Sequence, residues 1–322
     1  MTGTQIQVNR GVPIMRKPSF VRAMAVMLML AGGPSAAASI ERVEPPNWWT
    51  GFEHGELQVL LYGDDVGRFR ASVDHPGVIV ARSISVESPN YLFLYLDIAD
   101  AIPGTFDIVL TAGDDTLTAS YTLAPRDPEL AVAHGFTSAD AIYLITPDRF
   151  ANADPSNDAV EGFADRGPER DEPYGRHGGD IAGITANLDY IRDLGMTAIW
   201  LNPVLENAMP NASYHGYAIT DYYKVDPRFG TNESYRNLAD AARERGIKLI
   251  MDQIENHAGS GHWWMSDLPS ADWINFDNTY VQTTHARTTN QDPYASNYDR
   301  EMHASGWFDV AMPDLNQRNP LL

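Results

Sequence analysis

A small β-sandwich followed by a parallel α/β region is the fold class that this 322-residue sequence predicts. Three observations carry the prediction. Residues 39–123 read as short runs of alternating polarity separated by turn residues. After Ala139 the pattern changes to strand, helix, strand, helix, strand. Each of those later strands is followed by a polar, aromatic-rich segment.

The first 38 residues read as a secretory signal peptide. Arg16, Lys17 and Arg22 precede the apolar stretch 23–31, and Ala36, Ala37 and Ala38 offer a small-residue cleavage site. That stretch is too short to cross a bilayer, and no later one is apolar enough, so no membrane span is expected. Export to the periplasm or the cell exterior follows. Residues 39–125 then supply strand-like runs at 56–63 (ELQVLLYG), 77–87 (GVIVARSISVE), 91–99 (YLFLYLDIA) and 105–111 (TFDIVLT). Turn signals fall at 63–65, 103–104 and 113–115. Strands at this spacing without a helical stretch form a sandwich. Residues 125–128 read as a linker into a second domain, 126–322.

In that second domain, 141–146 (AIYLIT), 197–202 (TAIWLN) and 247–252 (IKLIMD) are strand-like. Ile181, Ile184, Leu188, Ile191 and Leu194 recur at helical spacing, with Gly195 as the stop. A second helix fits 233–245, begun near Thr231 or Asn232 and ended by Gly246. Strands alternating with helices pair in parallel. Periodicity alone fits both a closed barrel and a doubly wound open sheet. No Gly-rich turn has the arrangement that cradles a nucleotide.

Composition removes several functions. The formal charge of −20 repels phosphate backbones, so nucleic-acid binding is not expected. The absence of cysteine excludes disulfides, thiolate nucleophiles and Cys-type metal sites.

Three clusters could carry chemistry. Asn152, Asp154, Asn157 and Asp158 crowd into seven residues. Such loops are often only turns, although hard oxygen ligands at this spacing suit Ca²⁺. Tyr214 and His215 form either a half-buried loop anchor or a sugar-binding pair with a flat face and a polar tip. The stretch MDQIENHAGSGHWW, 251–264, offers Asp252, Glu255, Asn256 and His257. His257 and His262 lack the H-E-x-x-H spacing of a zinc hydrolase. Trp263, Trp264, Trp273 and Trp307 read as packing beneath long loops.

Taken together, the sequence resembles the α-amylase superfamily of glycoside hydrolases (glycoside hydrolase family 13), and within it the cyclomaltodextrinase/neopullulanase branch. The resemblance rests on Asp148-Arg149-Phe150 with Asn152-x-Asp154, on Tyr214-His215-Gly216-Tyr217, on the Asp252-x-x-x-Asn256-His257 box and on 312–316 (MPDLN). Pro46-Asn47-Trp48-Trp49 with 56–63 resembles the immunoglobulin-like β-sandwich that precedes the barrel in that branch.

This resemblance implies a (β/α)8 TIM barrel of which about three units fall within the chain, making it a truncated, N-terminal fragment. It also implies a retaining mechanism on α-glucans or cyclodextrins, with two carboxylates about 5 Å apart. The family's nucleophile follows strand four in a G-x-R-x-D box, and its acid/base Glu follows strand five. Neither occurs here, so both are expected after Leu322, no catalytic residue is assigned, and the chain alone is expected to lack hydrolase activity. The resemblance places Tyr214, His215 and His257 at the substrate and Asp252 and Asn256 in support, with Glu255 a bystander. It adds Gly178, through its carbonyl, and Asp180 to the calcium set, and it implies a homodimer through the N-terminal domain. Two rivals remain: a non-catalytic starch-binding protein, and a short enzyme using Asp252 with Glu255.

Overall fold

The structure is a computed structural model describing residues 38–127, 135–165 and 167–322. The predicted signal peptide, up to residue 37, and the last residue of the predicted linker lie outside the described residues.

Alternation in the N-terminal part becomes strands β1 (Arg42–Glu44), β2 (Trp48–Thr50), β3 (Glu56–Tyr62), β4 (Arg70–Val73), β5 (Ile79–Ser85), β6 (Tyr91–Asp97), β7 (Gly104–Ala112) and β8 (Asp115–Pro125). They form two four-stranded sheets, ordered β1-β3-β6-β5 and β2-β8-β7-β4. Val59, Leu61, Leu92 and Leu94 from the first sheet meet Phe106, Ile108, Leu110 and Tyr121 from the second in one core. Strand β8, the longest, was not anticipated. Its inward Ala119, Tyr121 and Leu123 alternate with Thr118, Ser120 and Thr122, a signal diluted by the small and hydroxylated residues between them.

Strand β6 is apolar from Tyr91 to Leu96 because both of its faces are covered there, and it ends on the exposed Asp97. Leu92, Leu94 and Leu96 face the sandwich core. Tyr91 and Phe93, with Leu60 of β3, instead enter a second core with Ala258, Trp264, Trp273, Ile274, Trp307 and Leu315. The tryptophans thus pack under loops as expected, and they do so against the sandwich. The described residues from Ala38 onward accordingly pack as one unit.

The second region contains β9 (Ile142–Ile145), β10 (Ala198–Leu201), the short β11 (Leu205–Glu206) and β12 (Asp221–Val225), and β13 (Lys248–Met251). Strands β9, β10 and β13 pair in parallel with β10 central. Helices α1 (Pro147–Phe150), α2 (Ile181–Ala186), α3 (Leu188–Asp193), α4 (Asn232–Glu244) and α5 (Asn297–Ala304) accompany them. Ile145, Ile199 and Leu201 pack against Ile184, Leu188 and Leu238 on the helix side. Leu144 and Trp200, paired in register, face the other way and stay 55% and 40% exposed.

The predicted helix over 181–194 is two short helices. Asn187 leaves helical geometry at φ −106°, ψ 13°, and its amide donates to the Gly183 carbonyl at 2.7 Å. The stops hold: Gly195 and Gly246 adopt φ of +83° and +71°, conformations that glycine enters without steric cost. Helix α4 begins with a reciprocal capping box between Thr231 and Ser234. Among the described residues no helix is long and apolar enough to cross a membrane.

Candidate functional site

The loops after β10 and β13 meet in a cleft of about 370 Å³ lined by His215, Tyr217, His257, Arg287, Phe308 and Met312. His215 sits on a single 3-10 turn, Ser213–His215, closed by Gly216 at φ +83°. A side chain on Gly216 would reach within 2.0 Å of the Pro203 carbonyl oxygen, so glycine is required there. The backbone N–H of Tyr217 donates to His215 Nδ1 at 2.9 Å. Nδ1 is therefore an acceptor, and His215 carries its proton on Nε2. Nothing among the described residues bonds that Nε2.

His257 is held differently. Its Nε2 lies 3.0 Å from the Tyr217 carbonyl, which can only accept, so Nε2 donates and Nδ1 is left to accept from the Asn256 amide at 3.1 Å. Both ring nitrogens of His257 are committed, whereas His215 keeps a donor for a ligand. Burial lowers the pKa of both imidazoles, and His257 lowers that of His215 further. Both rings are thus poised as neutral hydrogen-bonding groups. Phe308 lies nearly parallel to His257, at 21° and 6.3 Å between centroids, and gives the cleft an apolar wall. A half-apolar slot with a few fixed polar atoms is what a sugar ring requires.

Asp252 joins the cleft through Tyr217. Its Oδ2 accepts from Trp200 Nε1 and from the Tyr217 hydroxyl, each at 3.1 Å. Burial, then Asp252 itself, push the Tyr217 phenol up to about 12, so it stays a donor. Tyr217 thus links Asp252, His215 and His257, and it was overlooked although it closes the Tyr-His-Gly-Tyr motif. Tyr214 does not line the cleft. It lies under the Arg149 guanidinium, 3.9 Å from ring centroid to carbon. Glu255 is exposed and its carbonyl accepts from Gln317 at 3.0 Å. Arg287 and Phe308 carry no motif that sequence could have singled out.

The oxygen-rich loop follows β9. Buried Asp148 accepts from the backbone of His177 at 2.8 Å and of Gly178 at 3.2 Å, and it pairs with Arg149 at 3.0 Å. This draws segment 176–178 onto the loop. Gly178, at φ +86°, comes so close that a Cβ would stand 2.5 Å from Asp158 Oδ1 and 2.8 Å from Asn152 Nδ2. Asn152 donates to Asp158 at 2.6 Å. Among the described residues, Asn152 Oδ1 and Asn157 Oδ1 are buried without a hydrogen-bond partner. Asp180 caps α2, accepting from Gly183 at 2.5 Å, and also accepts from Asp154 N–H at 2.8 Å. Asp154 is exposed and accepts from Ser156 N–H at 3.1 Å. Among the described residues no three acidic or histidine side chains converge as a metal set. The side chains that do converge, Asn152 and Asp158, offer amide and carboxylate oxygens, which suit a hard cation and no soft one.

Comparison with known proteins adds independent findings. Residues 144–322 match the family described as alpha amylase, catalytic domain, and residues 42–127 match cyclomaltodextrinase, N-terminal. The chain is 37% identical over 142 residues to alpha-amylase 3 of Dictyoglomus thermophilum, covering 44% of this chain and 27% of that protein. It is 36% identical over 189 residues to neopullulanase 2 of Thermoactinomyces vulgaris, covering 56% and 29%. It is 36% identical over 149 residues to a cyclomaltodextrinase of Thermoanaerobacter pseudethanolicus, covering 44% and 24%. The matches therefore span less than a third of each relative's length.

Proposed function

We propose, on the premise that this chain belongs to the α-amylase family of glycoside hydrolases, that it serves α-glucan hydrolysis of the retaining, cyclomaltodextrinase or neopullulanase type. The observation that carries this reading is the cleft in which His215, Tyr217 and His257 converge, with Asp252 bonded to Tyr217. In this reading His215 Nε2 donates to a glucosyl hydroxyl and Phe308 offers its face to the ring. Tyr217 keeps the two imidazoles and Asp252 in register. Asp252 Oδ1, without a hydrogen bond among the described residues, is suited to hold an arginine of the catalytic box, and the nucleophile and acid/base are placed outside residues 1–322.

The three parallel strands are, in this proposal, the first of a (β/α)8 barrel. Their order follows the chain, and their open apolar face, with Leu144 and Trp200, is the kind of surface a closed barrel buries. Residues 39–125 and 126–322 are read as the two domains of an exported, homodimeric protein.

Ca²⁺ is assigned to the loop after β9. Asn152, Asn157, Asp158 and the Gly178 carbonyl would hold it, with Asp154 and Asp180 completing the shell. The two orphaned amide oxygens support this, because a buried oxygen without a donor is costly unless a cation accepts it. A bound cation would supply charge that pins the loop.

Calorimetric titration with β-cyclodextrin tests the reading: saturable binding with no release of reducing sugar is expected. Absence of binding would overturn the cleft assignment, and turnover by this chain would overturn the placement of the catalytic carboxylates. Added Ca²⁺ should raise the melting temperature, and Asp154→Ala should remove that rise.

A further inference from the structure

A network of aromatic and polar contacts joins the cleft to the sandwich. Trp263, in the loop after β13, is enclosed by sandwich residues. The Tyr62 ring lies 4.7 Å from it, the Tyr91 ring is stacked on it at 5.8 Å and 16°, and the Arg42 guanidinium sits 5.0 Å from its centroid. Four polar contacts fasten the same loop. The Tyr91 hydroxyl donates to the Asp267 carbonyl, and the Asn90 amide donates to the Asp267 carboxylate at 2.8 Å. Ser88 N–H donates to the Pro269 carbonyl at 3.1 Å, and Ala271 N–H to the Glu87 carboxylate at 2.9 Å.

From Trp263 the aromatic contacts continue toward the cleft. His262 lies 5.7 Å from Trp263 and 4.3 Å from Trp264, and Tyr222 lies 5.4 Å and 5.9 Å from His262 and Trp264. The Tyr222 hydroxyl then donates to the backbone carbonyl of His257 at 2.8 Å. A second connection reaches Tyr222 from the other side. Arg42 of β1 pairs at 3.4 Å with Asp221, the residue preceding Tyr222 on β12. Both connections begin on the sandwich and end on the backbone of one cleft histidine.

We propose that the sandwich positions the cleft, with Arg42 and Trp263 setting Tyr222, and Tyr222 setting His257. Tyr222 is then a positioning residue that touches no ligand. Packed aromatic side chains transmit small displacements because interiors lack the free volume to absorb them. The same packing holds His257 away from solvent with both ring nitrogens engaged.

The test uses the full chain and two variants that remove a polar contact without opening a cavity, Tyr222→Phe and Arg42→Gln. The titration of the His257 imidazole is followed by NMR, assigned with His257→Gln, alongside the melting temperature. Both variants are expected to move the His257 midpoint upward, because a less firmly seated ring is better solvated. Arg42→Lys should restore the midpoint. An unchanged midpoint in Tyr222→Phe overturns the proposal. A shift in Tyr222→Phe with none in Arg42→Gln also overturns it, since β12 alone would then suffice.

A ligand arm rests on the sugar-site reading above: maltotriose affinity should fall about threefold in both variants, equivalent to about 0.7 kcal/mol. A His257 shift in a chain that binds no maltotriose would overturn that reading and leave the positioning claim intact.

Discussion

The sandwich and the parallel sheet use strands of similar apolar character but bury them to different extents. Every residue from 91 to 96 in β6 is buried, one face by the sandwich core and the other by the tryptophan cluster at Tyr91 and Phe93 and by the Arg82 guanidinium at Tyr95. In β9 and β10 only the helix-facing side is closed, and Leu144 and Trp200 remain open. A strand buried on both sides fixes whatever it touches. A sheet open on one side leaves side chains available for a further partner or a ligand. The cleft lies between these two conditions, tied to the first and opening on the second.

The largest expected effect comes from breaking the doubly buried strand. Phe93→Ala should cost about 3–5 kcal/mol, with loss of the tryptophan cluster seen by near-ultraviolet dichroism. A small loss would mean that the two regions barely depend on each other.

Next is pH at the joint. Burial raises the Glu44 carboxyl from 4.5 to about 7, against the lowering effect of Arg42. Between those values the folded chain keeps a proton that the unfolded chain has released, so stability falls as pH rises through the window. The loss is on the order of 3 kcal/mol at most. Glu44→Gln should flatten that slope in denaturant melts. Burial drives His262 down to about 3 from 6.5, so its contribution runs the opposite way and is lost as pH falls below 6.5.

Two smaller effects address the parallel region. Thr231→Ala removes the capping box of α4 and should cost about 1 kcal/mol in urea melts. Leu144→Gln, on the open face, should change stability by no more than about 0.5 kcal/mol. A large loss there would show that the face is covered after all.

What could be read from the sequence follows the same division. The helix stops at Gly195 and Gly246 and the parallel strands were legible because local backbone preference and periodicity determine them. Strand β8 was overlooked because its outward threonines and serine mask the alternation. The split at Asn187 depends on one side-chain bond back to Gly183, which no periodicity reports. In the site, the motif residues His215 and His257 meet in the cleft, while Tyr214 packs under Arg149 with its ring edge-on to His215. Asp252 takes its donors from Trp200 and Tyr217, 52 and 35 residues away, a pairing created by strand order alone. Phe308 and Arg287 enter from a long loop with no local signature.

The most direct test of the account is calorimetric titration of maltotriose into the wild-type chain and into His215→Ala. A sugar held by His215 Nε2 predicts single-site binding for the wild type and at least about a tenfold loss of affinity for the variant, equivalent to about 1.4 kcal/mol. Equal affinity in the two proteins would contradict it and place the sugar elsewhere.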